Sequence, residues 1–228
     1  MKLRFETDGA AFDFEAAQLV VAGWTGRDRA AIEHHIDELA RLGVPRPSTV
    51  PLYYRLARSL LTQDATIEAL GSASSGEAEP VLLRHAGRWW LTLGSDHTDR
   101  AAEAHSVALS KQLCAKPLAR VAWDWDELAA RADQLLLRSS ILEDGHWVVY
   151  QHGALSAITA LADLVSGLPD DVVVSDGLVL FCGTLGAIAN QAGVAIRSAG
   201  AMRLELIDPP AARQITHEYH ITALPMVA

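Results

Sequence analysis

The sequence predicts a mixed α+β fold, with a β-rich roll or sandwich as its body and a small N-terminal α/β segment. Two observations support this prediction. Beyond residue 70 most apolar segments are short, alternating or fully apolar, and bounded by Gly, Pro or Asp, as is typical of strands. Before residue 60, strand-like segments flank one amphipathic helix. Because half of the 228 residues are hydrophobic, we expect one domain over residues 1–228 with its own core.

The N-terminal segment, residues 1–60, contains two strand-like runs, "LRFET" and "AQLVVAGW". They are followed by "RDRAAIEHHIDELARLG", whose near-helical apolar spacing predicts a helix ended by Gly43. The proline-rich "VPRPSTVP" then favours extended chain, and "PLYYRLA" predicts a strand. We expect this segment to provide a lid over the body.

The body, residues 70–228, is predicted to hold a largely antiparallel set of strands and two helices. The strands are "EPVLLRH", "RWWLTLG", "VVVSDGLVLFCGT", "MRLELID" and "HEYHITAL". The helices are "WDWDELAARADQLLLRSS" and "SAITALADLVSGL".

Composition excludes several functional classes. A formal net charge of −9 without a basic cluster disfavours nucleic-acid partners, which are bound mainly through Lys and Arg. The opening "MKLRFETDG" lacks the apolar core of a signal peptide, and no apolar run approaches the roughly 18 residues of a membrane span. We therefore expect a cytoplasmic protein with no membrane partner. No GxSxG, GxGxxG, GxxxxGK or HExxH pattern occurs, which disfavours serine hydrolase, dinucleotide, nucleotide and zinc-protease sites.

One hairpin gathers acidic residues. The segment "EAEPVLLRHAGRWWLTLGSD" has two strand-like halves about the turn "HAGR", and antiparallel pairing about that turn places Glu77 opposite Asp96, with Glu79 on the same face as Glu77. Like charges at this spacing repel, and a hard divalent cation such as Mg²⁺ or Mn²⁺ would relieve the repulsion. The alternative is an exposed hairpin end whose carboxylates face water or pair with arginines.

Five motifs in order resemble the fumarylacetoacetate hydrolase superfamily. "GEAEPVLL" matches its Glu-x-Glu strand, and "SDHTDRAAE" matches its Asn-Asp-x-x-x-Arg motif, although Ser95 replaces the Asn and Glu103 stands where a Gln is expected. "LSKQL" provides the lysine, "WVVYQHG" a glutamine, and "LVLFCGTLGAI" the closing Gly-Thr. The resemblance covers about residues 18 to 228.

The resemblance implies a divalent-metal-dependent, acylpyruvase-like hydrolase that cleaves a carbon–carbon bond of a small 2-oxo acid or 1,3-dicarbonyl compound. It implies Mg²⁺ or Mn²⁺, with Ca²⁺ as a substitute, held by Glu77, Glu79 and Asp96. Its catalytic cations are Arg100 and Lys111, with Thr184 as a hydroxyl donor. The implied substrate contacts are Glu103, Gln151, Gly183 and His97. For His97 the alternatives are a position behind the residues that contact the ligand or a surface position, and Asp99 is interpreted as a helper or solvated acid.

Members of the superfamily often place a His and a Glu on an N-terminal helix as a dyad that activates water. Here His35 and Glu38 have that spacing, and residues three apart lie on one helix face. His34 and Asp37 offer the same spacing one residue earlier. The alternative is a solvated acidic helix face.

Two classes of function therefore stand. The first is the metal-dependent hydrolase, or a decarboxylase, hydratase, dehydratase or tautomerase acting on a similar oxo acid. The second is a non-catalytic protein that binds a small carboxylate or assembles into oligomers, motivated by the departures at Ser95 and Glu103. The resemblance implies a homodimer, and the enzyme class implies a small oxo-acid substrate.

Overall fold

The structure, a computed structural model, describes residues 1–41 and 46–227, and within helix α1 it leaves aside the side chains of His35, Glu38 and Leu39. The strands are β1 (Lys2–Thr7), β2 (Ala10–Glu15), β3 (Gln18–Gly23), β4 (Leu52–Leu56), β5 (Leu61–Thr62), β6 (Thr66–Leu70), β7 (Ser74–Ser75), β8 (Ala78–His85), β9 (Arg88–Ser95), β10 (Thr98–Asp99), β11 (Lys116–Pro117), β12 (Trp123–Asp124), β13 (Leu136–Glu143), β14 (His146–Ala154), β15 (Leu178–Phe181), β16 (Ala201–Asp208) and β17 (Arg213–Leu224). The helices are α1 (Arg29–Arg41), α2 (Arg100–Glu103), α3 (Val107–Gln112) and α4 (Leu161–Ser166), with short 3₁₀ turns at Arg58–Leu60, Ala129–Gln134 and Leu155–Ala157.

Two sheets form the body. A six-stranded sheet has the order β12-β9-β8-β15-β3-β4, and a five-stranded sheet has the order β14-β13-β16-β17-β6. Within these two sheets the pairs β3/β15 and β6/β17 are parallel, and the other pairs are antiparallel. The predicted β-rich α+β fold with a largely antiparallel body is therefore confirmed.

The six-stranded sheet is buried on both faces. One face, which includes Val20 and Leu82, packs in a common core with Leu204 of the five-stranded sheet. The opposite face, which includes Val81, packs against Phe5 of the β1–β2 hairpin. Alternate residues of each strand thus serve two cores. Burial of a side chain such as Phe5 contributes roughly 1.5–3 kcal/mol.

The acidic hairpin adopts the predicted register. His85 pairs with Arg88, and Ala78 pairs with Ser95 at the far end of β8 and β9. One residue further, the backbone N–H of Asp96 donates to the carbonyl of Glu77 at 3.0 Å. The predicted position of Glu77 opposite Asp96 is confirmed.

The N-terminal helix is also confirmed as α1. Asp28 caps it, because its Oδ1 accepts from the backbone N–H groups of Ala30 at 2.9 Å and Ala31 at 3.1 Å. Its predicted end at Gly43 lies outside the described residues.

Two predicted helices are wrong in extent or type. "WDWDELAARADQLLLRSS" forms β12, a 3₁₀ turn and the start of β13. Strand β13 lies between β14 and β16 and pairs with both, so tertiary pairing outweighs the helical spacing of its leucines. "SAITALADLVSGL" is α-helical only over α4, and only β15 within "VVVSDGLVLFCGT" is a strand.

Strand β2 is not among the strands predicted from the sequence; it follows the Asp8-Gly9 turn and pairs with β1. Among the described residues, no helix has the length and hydropathy needed to cross a membrane.

Candidate metal centre and cavity

Three carboxylates converge where the β8–β9 hairpin ends. Glu77 precedes β8, Glu79 lies within it, and Asp96 follows β9. Each offers an oxygen atom, and these atoms lie within 4.8 Å of one another. The predicted carboxylate cluster therefore exists in the structure, and Glu79 and Asp96 are almost fully buried.

Two lysines neutralise Asp96. The Lys111 ammonium group donates to Oδ2 of Asp96, and the Lys116 ammonium group lies 3.1 Å from Oδ1. Lys116 also donates to the carbonyls of His97 at 2.6 Å and Lys111 at 2.5 Å. Burial raises the pKa of Asp96, but the two ammonium groups outweigh burial and hold this pKa below its usual value. Asp96 is therefore an ionised carboxylate in the interior.

At Glu79 the effects that raise the pKa of the carboxyl group outweigh those that lower it. Burial raises the pKa of Glu79 well above its usual value, and the carboxylates of Asp96 and Glu77 raise it further. The backbone N–H of Gly183 donates to Glu79 Oε2 at 2.8 Å and fixes the carboxyl group in place. A cation at this position would favour its ionised form.

Arg100 links the cluster to its surroundings. Its Nη2 donates to Glu77 at 2.9 Å, its Nη1 to Glu103 at 2.8 Å, and its Nε to Ser75 at 2.7 Å. Burial lowers the pKa of Arg100, but Glu77 and Glu103 outweigh burial, so its pKa is raised. The guanidinium group is thus a fixed charge held by two carboxylates.

The cluster borders a cavity of about 660 Å³, within the usual size range of small-molecule sites. Residues from the β3–α1 connection, α1, β4, α2, α3 and the segment after β15 line it. The charged and hydroxyl-bearing residues of the lining are Thr25, Asp28, Tyr54, Glu77, Glu79, Arg100, Glu103, Lys111 and Thr184. The remaining lining is apolar or glycine apart from the indole of Trp24.

The cluster fits a hard divalent cation. Its donors are all carboxylate oxygens, which Mg²⁺ and Mn²⁺ prefer. Moreover, Asp96 Oδ1 is buried and accepts no hydrogen bond of normal geometry despite its proximity to Lys116. A buried acceptor beside two further carboxylates is a feature that a cation would satisfy.

The closing Gly-Thr motif has a structural position beside the cluster. Gly183 lines the cavity, and its φ of +94° and close approach to Thr25 leave no room for a side chain. Thr184 also lines the cavity, but its hydroxyl donates to the carbonyl of Ala78 at 2.7 Å and accepts from Gln151 at 2.7 Å. The hydroxyl proton is therefore engaged within the protein rather than directed at a ligand.

Gln151 and His97, two of the predicted substrate contacts, lie behind the residues that line the cavity. The Gln151 amide bridges Ala78, Ser139, Thr184 and Leu185. The ring of His97 lies between Tyr219 at 3.0 Å and Ser74 at 2.9 Å. Among the described residues that line the cavity, neither Gln151 nor His97 appears.

The surface alternative for His97 is wrong, because the residue is 1% exposed. Burial and nearby cations lower the pKa of His97 to about 3, so its ring is neutral. Asp99 caps α2 by accepting from the N–H of Ala102 at 2.9 Å, which is a helper role for the short helix that begins at Arg100.

The side chains of the predicted dyad, His35 and Glu38, lie outside the described residues. Their helix nonetheless borders the cavity, since Ala31 and Ile32 line it, and position 35 lies three and four residues later on the same helix face. The alternative acid, Asp37, is exposed and pairs with Arg46.

Three further residues of the site are not predicted from the sequence: Lys116, and the aromatic residues Trp24 and Tyr54 of the cavity lining. Lys116 stands before a proline in a mixed segment that gives no sign of its contact with Asp96. Trp24, with a positive φ of 60°, donates its indole N–H to the hydroxyl of Tyr54 at 3.3 Å, and the Lys111 ammonium group lies 5.7 Å from the Tyr54 ring centroid. A non-glycine residue with positive φ is uncommon and often marks a functional site.

Residues 22–219 match a family model described as "Protein of unknown function (DUF2848)". The chain belongs to the DUF2848 family. The comparison with curated proteins gives no significant match.

Solved structures show the fold of this DUF2848 chain. A proposed fumarylpyruvate hydrolase from Burkholderia cenocepacia is 16% identical with a TM-score of 0.64, over 99% of this chain and 96% of that one. A 2-keto-3-deoxy-D-arabinonate dehydratase, complexed with magnesium and 2,5-dioxopentanoate, is 14% identical with a TM-score of 0.62, over 93% and 75%. A proposed 2-hydroxyhepta-2,4-diene-1,7-dioate isomerase from Mycobacterium abscessus is 12% identical with a TM-score of 0.56, over 94% and 77%. The predicted resemblance to the fumarylacetoacetate hydrolase superfamily is confirmed at the level of the fold.

Proposed function

We propose that this DUF2848 protein is a divalent-metal-dependent hydrolase that cleaves a carbon–carbon bond of an acylpyruvate or a similar small oxo acid. The observation that supports this proposal most is the cluster of half-buried Glu77 with buried Glu79 and Asp96, at the wall of a cavity that Arg100 and Lys111 also line. The fold likeness to a proposed fumarylpyruvate hydrolase over nearly the whole of both chains agrees with it.

In this proposal Glu77, Glu79 and Asp96 hold Mg²⁺ or Mn²⁺, with Ca²⁺ as a substitute. The ion, when bound, supplies Lewis-acid polarisation of the 2-oxo and carboxylate oxygens of the substrate. The magnesium in the dehydratase complex of the same fold supports this choice. Gly183 positions Glu79, and Glu103 positions Arg100.

The chain's cations stabilise the charge that develops during cleavage. Water adds to the carbonyl of the acyl tail, the bond between that carbonyl carbon and the neighbouring methylene carbon breaks, and its electron pair moves onto the pyruvate fragment as an enolate. Arg100 and Lys111 are already in place beside the cavity as fixed positive charges, so they oppose this negative charge without reorganisation. The proton taken from water then passes to the methylene carbon, which gives pyruvate, while the acyl tail leaves as a carboxylic acid.

The proposed base is His35, oriented by Glu38, on helix α1. The imidazole would take a proton from the attacking water. Support comes from the helix rather than from the side chains: Ala31 and Ile32, on the same face, line the cavity. This arrangement also supports a lid role for part of residues 1–60.

The proposed setting is a homodimer in the cytoplasm. Val148 and Val149 are exposed apolar residues on β14, which is an edge strand of the five-stranded sheet. A second copy of the chain could cover this edge. Sedimentation of the purified chain as a dimer is the expected result, and a monomer would contradict it.

Dehydration is the second candidate reaction. The observation that favours it is the fold likeness to a magnesium-bound dehydratase. Both reactions pass through an enolate. Carbon–carbon cleavage produces it in the hydrolysis, whereas in the dehydration loss of a proton beside the carbonyl produces it, and the neighbouring carbon–oxygen bond then breaks to release water.

The test uses chelator-treated protein with acetylpyruvate as the probe. We expect acetate and pyruvate, observed by NMR, only after Mg²⁺ or Mn²⁺ is restored. Glu79→Gln should abolish turnover, whereas the matched control Glu218→Gln, in an exposed pair with Arg203, should retain it.

Full activity in chelator would contradict the proposal. Metal-dependent loss of water from a 2-oxo-3-deoxy sugar acid, without acetylpyruvate cleavage, would instead support the dehydratase. Binding of metal and oxo acid with neither turnover nor deuterium exchange at the carbon beside the carbonyl would support a non-catalytic protein.

A further inference from the structure

The positive charge of the cavity is concentrated at one place. Among the described residues that line the cavity, the cations are Arg100 and Lys111. Arg100 faces Glu77 and Glu103, and Lys111 donates to Asp96. Both cations therefore belong to the carboxylate cluster and are already balanced by acidic groups.

Among the described residues, the rest of the cavity lining includes no further cation that could face a second negative charge. Trp24, Ala31, Ile32, Val107 and Ile196 make it largely apolar.

Asp28 is the remaining charged residue of the described lining, and it is acidic. Its carboxylate already satisfies the N–H groups of Ala30 and Ala31 at the start of α1, so these groups are not available to bind an anion. A carboxylate placed here would meet a like charge and an apolar surface.

We infer that the substrate is a monocarboxylate with an uncharged, apolar tail, not a dicarboxylate; this inference rests on the proposed function. The 2-oxo carboxylate head needs only the region around the cluster, and the cavity of about 660 Å³ has room for a longer tail. A terminal carboxylate on that tail would lose water without gaining a cation from the described lining residues, which is costly. A methyl end would bury apolar area.

The inference is tested by binding, so that turnover is not required. Calorimetry compares 2-oxohexanoate with 2-oxoadipate, on the chain with Mg²⁺ present. The two acids have the same chain length and differ only in a terminal methyl or carboxylate, and both lack the bond that the proposed hydrolase cleaves. We expect 2-oxohexanoate to bind about tenfold more tightly or better. Equal affinities, or tighter binding of 2-oxoadipate, would overturn the inference.

A charge added to the wall gives a second test. Ile196 is 52% exposed, so an arginine there can keep its head group in water. Ile196→Arg should tighten 2-oxoadipate several-fold relative to 2-oxohexanoate, and the neutral control Ile196→Gln should not. If Ile196→Arg and Ile196→Gln change the ratio of the 2-oxoadipate and 2-oxohexanoate affinities equally, the substrate tail does not lie near Ile196.

The outcomes separate the two proposals. Cleavage of acetylpyruvate together with a preference for 2-oxoadipate overturns the inference and leaves the proposed function standing. A preference for 2-oxohexanoate without acetylpyruvate cleavage overturns hydrolysis and leaves the monocarboxylate site. Failure of both acids to bind overturns the inference, and acetylpyruvate cleavage alone then decides the proposed function.

Discussion

The substitution Asp96→Asn tests the electrostatic account of the site most sharply, because it removes one charge and almost no volume. Asp96 is 0% exposed and touches two ammonium groups, of which Lys116 is also 0% exposed. Breaking a buried ion pair by removing one partner costs about 3–5 kcal/mol, since the other charge stays buried.

For Asp96→Asn we expect a loss of unfolding free energy near the lower end of that range, because both lysines keep other partners. Lys116 keeps two carbonyl acceptors at 2.6 and 2.5 Å, and Lys111 keeps Glu77 at 3.8 Å. We therefore expect Asp96→Asn to lower the free energy of unfolding by about 3 kcal/mol without metal, measured by urea denaturation at neutral pH.

The matched control is Asp133→Asn, which breaks an exposed pair with Arg27 and should cost less than about 1 kcal/mol. If Asp96→Asn costs no more than Asp133→Asn, the two lysines do not depend on this carboxylate and the account of the site is wrong.

Three further predictions concern the surrounding structure. Gly183→Ala should destabilise the chain by about 2 kcal/mol or more in urea denaturation, because the residue has φ of +94° and a Cβ would lie 1.7 Å from Thr25 Oγ1. Tyr219→Phe should cost about 1–3 kcal/mol, because it removes the hydroxyl partner of Ser95 at 2.9 Å in the buried layer; unchanged unfolding would contradict that network. Burial lowers the pKa of His217 to about 4 from 6.5, so the unfolded chain binds this proton more readily and stability falls as pH decreases from 6.5 towards 4, by about 2 to 3 kcal/mol. His217→Gln should flatten that part of the pH–stability curve, and an unchanged curve would contradict the burial argument.

The hairpin that holds the cluster could be predicted from the sequence because its signals are local. Alternation in the two strands and the tight turn between them fix the register, and the register alone places Glu77 opposite Asp96. The position of Glu79 on the same face follows from the two-residue period of a strand.

The rest of the site depends on contacts that no local pattern specifies. Lys116 reaches Asp96 only because β11 pairs with β5 and the chain then returns beneath β9. Likewise, Gln151 and His97 are polar residues whose partners come from distant strands, so their burial could not be separated from a ligand contact. The start of β13 lies in a segment with helical apolar spacing, and its pairing with the distant strand β16 leaves no local signal in the sequence.

Calorimetric titration of chelator-treated protein with Mn²⁺ measures whether the carboxylate cluster of Glu77, Glu79 and Asp96 binds a metal ion. We expect one ion per chain for the unsubstituted protein and for Glu218→Gln. Affinity should fall by more than about tenfold for Glu79→Gln. Equal Mn²⁺ binding by all three proteins, or no binding by any of them, would contradict metal binding by this carboxylate cluster.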